Sequence, residues 1–137
     1  MAKLVLEEVY DFDFLLIGVS CHHKPHRLAW SLNNALQWDL ERQDDIQLTK
    51  KGTDSCFPLM SYLDDENFKD FHLIANRSGN GYLIAEQKQV DYFLQLIGDF
   101  TDEQVSNIKN SIKNINEVLM SFEIDPYSLK SRNNLLI

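Results

Sequence analysis

Two short apolar segments, each followed by a helical pattern, constrain the fold of this chain more than any other feature. Residues 13–20 form a continuous apolar run, whose length and β-branched residues predict a central strand buried on both faces. Residues 90–97 are also predicted as a strand, and residues 93–98, Phe-Leu-Gln-Leu-Ile-Gly, echo residues 14–18, Phe-Leu-Leu-Ile-Gly, each before a helical pattern. The pattern predicts a strand–helix unit that occurs twice, with a meander of antiparallel strands between the two copies.

The two helices are predicted from the spacing of apolar residues. Residues 26–37 place apolar side chains at i, i+4, i+7 and i+8, and Pro25 suits the first turn of a helix. Trp30 lies on the opposite side of this helix, where it either fills a second contact or is exposed. A Thr-x-x-Gln capping-box pattern begins at residue 101, and it predicts a second helix that extends to about residue 117.

The remaining strands complete one sheet. Pro58 places its strand at an edge or at a bulge, and Gly18 indicates a bulge or a close contact. We expect an α+β fold with a single mostly antiparallel sheet, two main helices on one face and the other face partly open. A ferredoxin-like arrangement of βα repeats is one version of this fold. The further strands are predicted at residues 3–6, 45–51, 56–63, 71–75, 82–86 and 118–124, with a helical turn at 127–132 and a docked apolar tail at 135–137.

Composition limits the classes of function. The 137 residues form one predicted domain, 1–137, and no apolar run approaches the roughly 20 residues that a membrane span needs. The 13 Lys and Arg face 21 Asp and Glu, for a net charge of −8. This balance disfavours autonomous binding of nucleic acid or of anionic membranes. We expect a cytoplasmic domain whose acidity favours a basic partner, or serves solubility alone.

The densest group of reactive side chains is Cys21, His22 and His23 with His26. A zinc site needs three or four convergent ligands at suitable spacing, and no spacing here matches a zinc pattern. Cys21 would need a lowered pKa to act as a nucleophile. No phosphate-binding or hydrolase motif is present. The sequence therefore predicts no metal, no cofactor and no catalytic residue, and it favours a protein that is not an enzyme.

Asp91 is the one carboxylate that interrupts an apolar strand pattern, between Val90 and Tyr92. Burying a lone charge is costly, so the carboxylate needs a partner. Arg27, Lys130 and Arg132 are the candidate partners.

Three stretches resemble an uncharacterised bacterial family known by its motif I-P-E-x-x-x-V-D-Y. Residues 84–92 read Ile-Ala-Glu-Gln-Lys-Gln-Val-Asp-Tyr and match the motif, except that Ala85 replaces its proline. Residues 27–33, Arg-Leu-Ala-Trp-Ser-Leu-Asn, are similar to the family's R-L-A-[aromatic]-x-L-N. Residues 129–135, Leu-Lys-Ser-Arg-Asn-Asn-Leu, are similar to its L-K-S-[KR]-x-N-L.

The resemblance implies no reaction, and it draws attention to charged residues in the three stretches. We hypothesise that they form an ion-pair network that fastens the C-terminal tail and the first helix to the motif strand. Breaking a partly buried pair of this kind costs about 3–5 kcal/mol. The predicted network consists of Arg27, Glu86, Asp91, Lys130 and Arg132.

Three hypotheses for function remain. The first is a protein-interaction or adaptor module that binds a partner protein through Trp30, with Asn33 and Tyr92 as further candidate contacts; the sequence also leaves a homodimer open. The second is a small-ligand-binding or enzymatic domain with a pocket near Cys21 and His26. The third is an RNA-linked regulator that acts through its basic C-terminal tail.

Overall fold

The computed structural model describes residues 12–79 and 81–136. The strand predicted at residues 3–6 and the last residue of the predicted tail lie outside these ranges. None of the helices in the described residues is long and apolar enough to cross a membrane. In chain order the elements are β1 (Leu15–Ser20), α1 (Pro25–Leu36), β2 (Glu41–Lys50), β3 (Thr53–Asp64), β4 (Lys69–Ala75), β5 (Arg77–Ser78), β6 (Gly81–Tyr82), β7 (Tyr92–Ile97), α2 (Asp102–Lys113), β8 (Met120–Ile124), and two 3₁₀ turns, Pro126–Ser128 and Arg132–Leu135.

The described residues form one six-stranded sheet in the order β2-β3-β4-β7-β1-β8, beside a small hairpin of β5 and β6. Every neighbouring pair in the large sheet is antiparallel. Strands β7 and β8 therefore run parallel on either side of β1, joined by α2, as in a ferredoxin-like unit. The other unit joins β1 to β2 through α1 and passes three strands. The predicted α+β class, with a strand–helix unit that occurs twice, is confirmed.

The two helices cover one face of the sheet. Leu28 and Leu32 of α1 and Ile112 of α2 are buried in one cluster with Ile17 of β1 and Leu94 of β7. These side chains alternate along each strand with residues that point to the opposite face. Both helices therefore pack on the same side, as the apolar stripes predict.

The second face is closed by segments without long regular structure. Phe93 of β7 is buried there among Leu83, Val90, Leu129 and Leu135. The face that we expect to be partly open is therefore covered by the chain before β7 and by the C-terminal tail. The cover is needed because β1 and β7 are apolar on both faces, and an open second face would leave their side chains in water.

The sequence predicts a strand at residues 82–86, and the chain between β6 and β7 does not form it. Strand β6 ends at Tyr82, and β7 begins at Tyr92. Between them the backbone turns twice, through hydrogen bonds from Gln87 N–H to Ile84 O and from Val90 N–H to Gln87 O, each 3.1 Å long. Val90 consequently packs on the face opposite to the one expected from alternation. Residues that are apolar on both faces give no period that would mark where a strand begins.

Pro58 lies in β3, which is an inner strand, and the sheet accommodates it with a bulge. The β2–β3 register passes from Gln43↔Leu59 to Ile46↔Phe57, so two residues of β2 oppose Pro58. Proline has no N–H to donate, and a bulge removes the need for one. The predicted alternatives were an edge strand or a bulge, and the bulge is what the structure contains.

Helix α2 begins as predicted and ends earlier. Thr101 Oγ1 accepts from Gln104 N–H, and Gln104 Oε1 accepts from Thr101 N–H, which completes the capping box. The helix ends at Lys113, about one turn before the predicted residue 117. The chain then turns and enters β8, so the strand predicted at residues 118–124 is present as Met120–Ile124.

Gly18 is predicted to be required for close packing between β1 and the cover of the second face. A Cβ atom at Gly18 would lie 2.9 Å from Ile124 Cδ1 and 3.0 Å from Val90 Cγ2. We expect Gly18→Ala to lower the free energy of unfolding by about 1–3 kcal/mol through overpacking. Gly79→Ala is the matched control, because a Cβ atom there meets nothing within 4 Å. Equal urea midpoints for the two variants would contradict the close contact.

Candidate functional site

Residues 83–91, here called the motif segment, carry the motif except for its last residue, Tyr92, which begins β7. Asn76 organises this segment. Asn76 is fully buried. Its Nδ2 donates to Gln87 O and to Val90 O, both at 2.9 Å, and its Oδ1 accepts from Ile84 N–H at 2.8 Å. Its backbone also bonds Leu83 and Asp91. One amide side chain therefore supplies the hydrogen bonds that a neighbouring strand would otherwise provide.

Asp91 ends the motif segment and joins it to β1. Its Oδ2 accepts from Cys21 N–H at 2.8 Å, and its Oδ1 lies 3.0 Å from Arg77 Nε. The backbone N–H of Asp91 donates to Val19 O. The carboxylate is nine-tenths buried, while Arg77 is half exposed. Asp91 therefore has the cationic partner that the sequence requires, but the partner is Arg77 rather than Arg27, Lys130 or Arg132.

The C-terminal tail is fastened to the motif segment by hydrogen bonds. Glu86 accepts from Ser131 N–H at 2.7 Å and from Ser131 Oγ at 2.9 Å. Asn134 Nδ2 donates to Leu83 O, and Gln95 Nε2 donates to Leu135 O, each at 2.8 Å. Desolvation raises the pKa of the Glu86 carboxyl, but the Ser131 bonds outweigh it and hold that pKa below its ordinary value. Glu86 is therefore an anion that holds the tail.

The other residues of the predicted ion-pair network do not meet Asp91 or Glu86 through their side chains. Arg27 pairs with Glu117 at 2.8 Å. Arg132 donates to Leu129 O at 2.9 Å, and its guanidinium lies 5.5 Å from the centre of the Phe12 ring. Among the described residues, the exposed Lys130 side chain forms no ion pair. The tail is thus held by neutral donors on Glu86, and the first helix is held by a separate pair.

A cleft of about 350 Å³ opens at the N-terminus of α1 beside Asp91. We call it the α1 cleft. His26, which the sequence groups with these histidines, is exposed and does not line it. The α1 cleft is lined by Cys21, His22, His23, Pro25, Arg77, Asp91 and Tyr92, together with Pro58 and Ala75.

The buried groups of the α1 cleft are engaged in holding the fold. Burial raises the pKa of the Cys21 thiol, and the nearby negative charges of Asp91 and Glu117 raise it further, so the thiol is protonated at neutral pH. Desolvation likewise raises the pKa of Tyr92, whose hydroxyl donates to His23 O at 2.6 Å. A protonated thiol and a neutral phenol are weak nucleophiles. The α1 cleft presents Arg77 and the exposed side chains of His22 and His23 to solvent.

The cysteines and histidines do not converge on a metal position. In the part of the chain that the structure describes, no three His, Cys, Asp or Glu side chains are close enough to hold a metal ion. Cys21 is buried and Cys56 is exposed, and both are free thiols.

Trp30 is an exposed aromatic side chain with a fixed position. It is 59% exposed, and Arg27 lies 5.1 Å above its ring. Glu117 holds Arg27 through Nε and Nη2 and accepts from Ser31 Oγ at 3.0 Å. A groove of about 550 Å³ beside the ring is lined by Ser31, Asn34, Ala35 and residues 114–117. We call Trp30 and this groove the Trp30 surface.

Asn33 and Tyr92, the other candidate partner contacts, serve the fold. Asn33 Oδ1 accepts from Leu40 N–H at 2.8 Å, and Asn33 Nδ2 donates to Leu40 O. Tyr92 is buried. Of the three candidates, Trp30 alone is mainly exposed to solvent.

Sequence reasoning overlooked Asn76, Arg77 and Glu117. Asn76 and Arg77 adjoin the Ser-Gly-Asn-Gly loop, so the sequence pattern alone favours a role in the turn. Glu117 lies at the predicted end of a helix, where an acidic residue suggests a solvated face. The hydrogen-bond and ion-pair partners of their side chains lie between 8 and 90 residues away in sequence, beyond the reach of a local period.

Asp91→Asn is predicted to destabilise the fold more than loss of its ion-pair partner. An amide offers one acceptor and one donor, so either Cys21 N–H or Arg77 would face another donor. We expect a loss of about 1–3 kcal/mol in urea unfolding, because a buried donor is left unsatisfied. Arg77→Met should cost less than Asp91→Asn, because Arg77 is half exposed and the bond from Cys21 N–H to the carboxylate remains. Equal losses would show that the ion pair, rather than the bond to Cys21 N–H, fastens this segment.

Glu86→Ala is predicted to loosen the tail locally. We expect this variant to show lower hydrogen-exchange protection at residues 129–135. The control variant Glu123→Ala, which removes an exposed carboxylate paired with Lys109, should leave the protection of these residues nearly unchanged. Because the folded pKa of Glu86 is depressed, its contribution is complete above the ordinary value of 4.5 and is lost as pH falls through the lower folded value. Tail protection in the parent should therefore fall at acid pH, and in Glu86→Ala this step should be absent. An identical step in both proteins would contradict the role of Glu86.

Comparison with known proteins gives no match from which a function could be transferred. No protein-family model matches the chain, and no curated protein matches it in sequence. The resemblance to the I-P-E-x-x-x-V-D-Y family rests on the residues of its three stretches and stays a prediction. Function is therefore inferred from the geometry of the α1 cleft and the Trp30 surface.

Proposed function

We propose that this chain is a non-enzymatic protein-interaction or adaptor module that binds a partner protein through the Trp30 surface. The observation that carries the proposal is a tryptophan that is more than half exposed and whose ring lies against the Arg27 guanidinium. Tryptophan is among the residues that contribute most to binding energy at protein interfaces. An indole left in water forgoes about 1.5–3 kcal/mol or more of burial free energy, which a partner would recover.

The surroundings of Trp30 support this assignment. The Arg27–Glu117 pair and the Ser31 hydroxyl fix the groove next to the ring, so little side-chain freedom is lost on binding. The groove is edged by the exposed side chains of Asn34, Asn114 and Asn116. An aromatic centre with a polar rim is the usual anatomy of an interface. The partner would offer an apolar pocket for the indole and polar groups for the amides.

Further features of the proposal concern family and location. We propose membership of the I-P-E-x-x-x-V-D-Y family, supported by the Glu86–Ser131 contact between two of the motif stretches. We propose a cytoplasmic location, supported by an exposed thiol at Cys56 that persists most readily in a reducing compartment.

The α1 cleft supports the alternative of small-ligand binding. Arg77, His22 and His23 line this cleft of an otherwise acidic protein, and an anionic ligand would suit them. The RNA-linked alternative has less support, because Arg132 of the basic tail is engaged with Leu129 O and the Phe12 ring.

The test of the protein-interaction proposal compares Trp30→Ala with Leu63→Ala, an exposed residue that is 57% accessible on β3. Each protein is used to isolate partners from native lysate, and the complex is then rebuilt from purified components. We expect a stoichiometric partner whose affinity falls at least about 30-fold in Trp30→Ala, which is typical of a central aromatic contact. Leu63→Ala should bind as the parent does.

Two controls complete the experiment. Thermal midpoints of both variants should match the parent, because both side chains are exposed. Light scattering of the purified parent identifies a homodimer, in which Trp30→Ala should also weaken association. Failure to recover any stoichiometric complex, or one that is unaffected by Trp30→Ala, would overturn the proposal.

A further inference from the structure

A second cleft, at the opposite end of α1, is lined by aromatic rings. Pro25, at the start of α1, lines the α1 cleft, whereas Leu36, at its end, lines this one. Twelve helical residues span about 18 Å, so the two clefts are separate. This cleft has a volume of about 320 Å³, and we call it the aromatic cleft, defined by Trp38, Asp64, Lys69, Phe71 and Phe100.

Three elements hold the rings of the aromatic cleft. Phe71 of β4 is buried, and the Trp38 ring, from the loop after α1, lies 4.5 Å from it. The Phe100 ring, from the loop before α2, meets Phe71 edge-on at 5.9 Å. Phe71 also stacks on Tyr62, with ring centres 5.3 Å apart. Trp38 and Phe100 are only partly buried, so they offer fixed ring surface to a ligand.

The Lys69 ammonium group of the protein itself contacts one of these rings. Lys69 Nζ lies 5.2 Å from the centre of the Phe100 ring. Among the described residues, Lys69 forms no ion pair, although Asp64 is its cross-strand neighbour. The negative face of an aromatic ring attracts an ammonium group. The contact shows the kind of group that the geometry of this cleft accepts.

The charged residues around the aromatic cleft also favour binding of a cation. Desolvation raises the pKa of the Tyr62 hydroxyl, and the carboxylates of Asp64, Asp39 and Glu66 raise it further, so these acids lie near the ring that stacks on Phe71. The exposed acids within two residues of a lining residue are Asp39, Asp65, Glu66, Asp99, Asp102 and Glu103. Lys69 is the one cation among the residues that line the cleft, and Lys109, the one other cation within two residues of a lining residue, is paired with Glu123. A negative rim around ring faces raises the local concentration of cations.

We propose that the aromatic cleft binds a lysine side chain from a basic segment of a partner protein. The ammonium group would lie against the ring faces of Trp38 and Phe100, within reach of the Asp64 carboxylate, and neighbouring basic residues would face the acidic rim. The rim carries more negative charge than a single ammonium group needs, which favours a peptide with several cations over a free amine. This site is independent of the Trp30 surface.

The test uses Trp38 as the reporter. Trp30 and Trp38 are the two tryptophans of the chain, so Trp30→Phe leaves a single indole at the aromatic cleft and removes the other proposed contact. An acetylated and amidated tri-lysine peptide is titrated at low salt while Trp38 fluorescence is recorded. We expect a saturable change with a Kd below about 1 mM.

Variants in this background separate the site from general attraction to an acidic protein. Phe100→Leu, which keeps an apolar side chain but removes the ring, should weaken binding at least about threefold. Asp64→Asn should weaken binding more than Glu123→Gln, which removes the same charge elsewhere. Lys69→Met should tighten binding more than Lys113→Met, because it frees the Phe100 ring as well as removing a positive charge.

The outcomes decide the proposal. No saturable change up to the millimolar range would overturn it. Parent-like binding by both Phe100→Leu and Asp64→Asn would also overturn it, since the attraction would then be general. Spermidine that binds as tightly as the peptide would overturn the assignment to a protein lysine. Circular dichroism of each variant confirms that it is folded, and Asp64→Asn tests the site even if Phe100→Leu is unstable.

Discussion

The structure depends on the fact that its central strands are apolar on both faces. Strands β1 and β7 carry buried side chains toward the helices and also away from them. A sheet of this kind is stable only when each face is covered. The helices cover one face. The motif segment and the C-terminal tail cover the other, and since neither is a long regular element, their polar backbone groups need partners from elsewhere.

Those partners explain the positions of the polar residues near the motif. Asn76 supplies donors and an acceptor to the turns of the motif segment, and Asp91 caps the free N–H of Cys21. Glu86 then binds the tail through Ser131. Buried backbone groups must be satisfied, so these residues are part of the cover itself. This accounts for the two acids of the motif, Glu86 and Asp91, through their contacts within the fold.

The acidic composition conceals a division between the two ends of α1. One end carries Arg77 and exposed histidines around the α1 cleft, and the other carries aromatic rings with an acidic rim. Net charge alone suggests solubility or a basic partner. The distribution indicates which surface would meet cations. The Trp30 surface lies on α1 itself, so the proposed contacts occupy different parts of the molecule.

The sequence by itself determined the elements whose causes are local. Pro25, the capping box at Thr101 and the spacing of apolar residues act within a few positions. Both helices and most strands can therefore be predicted from the sequence. It also indicated that Asp91 needs a cation and that Trp30 lies off the apolar stripe. Only the tertiary structure decided which residues meet. The register that places Val19 opposite Tyr92 brings Asp91 to Cys21, and no local period encodes a pairing across about 70 residues. The partners Arg77 for Asp91 and Glu117 for Arg27 follow from that long-range packing, because a charged side chain binds whichever opposite charge the folded sheet places beside it.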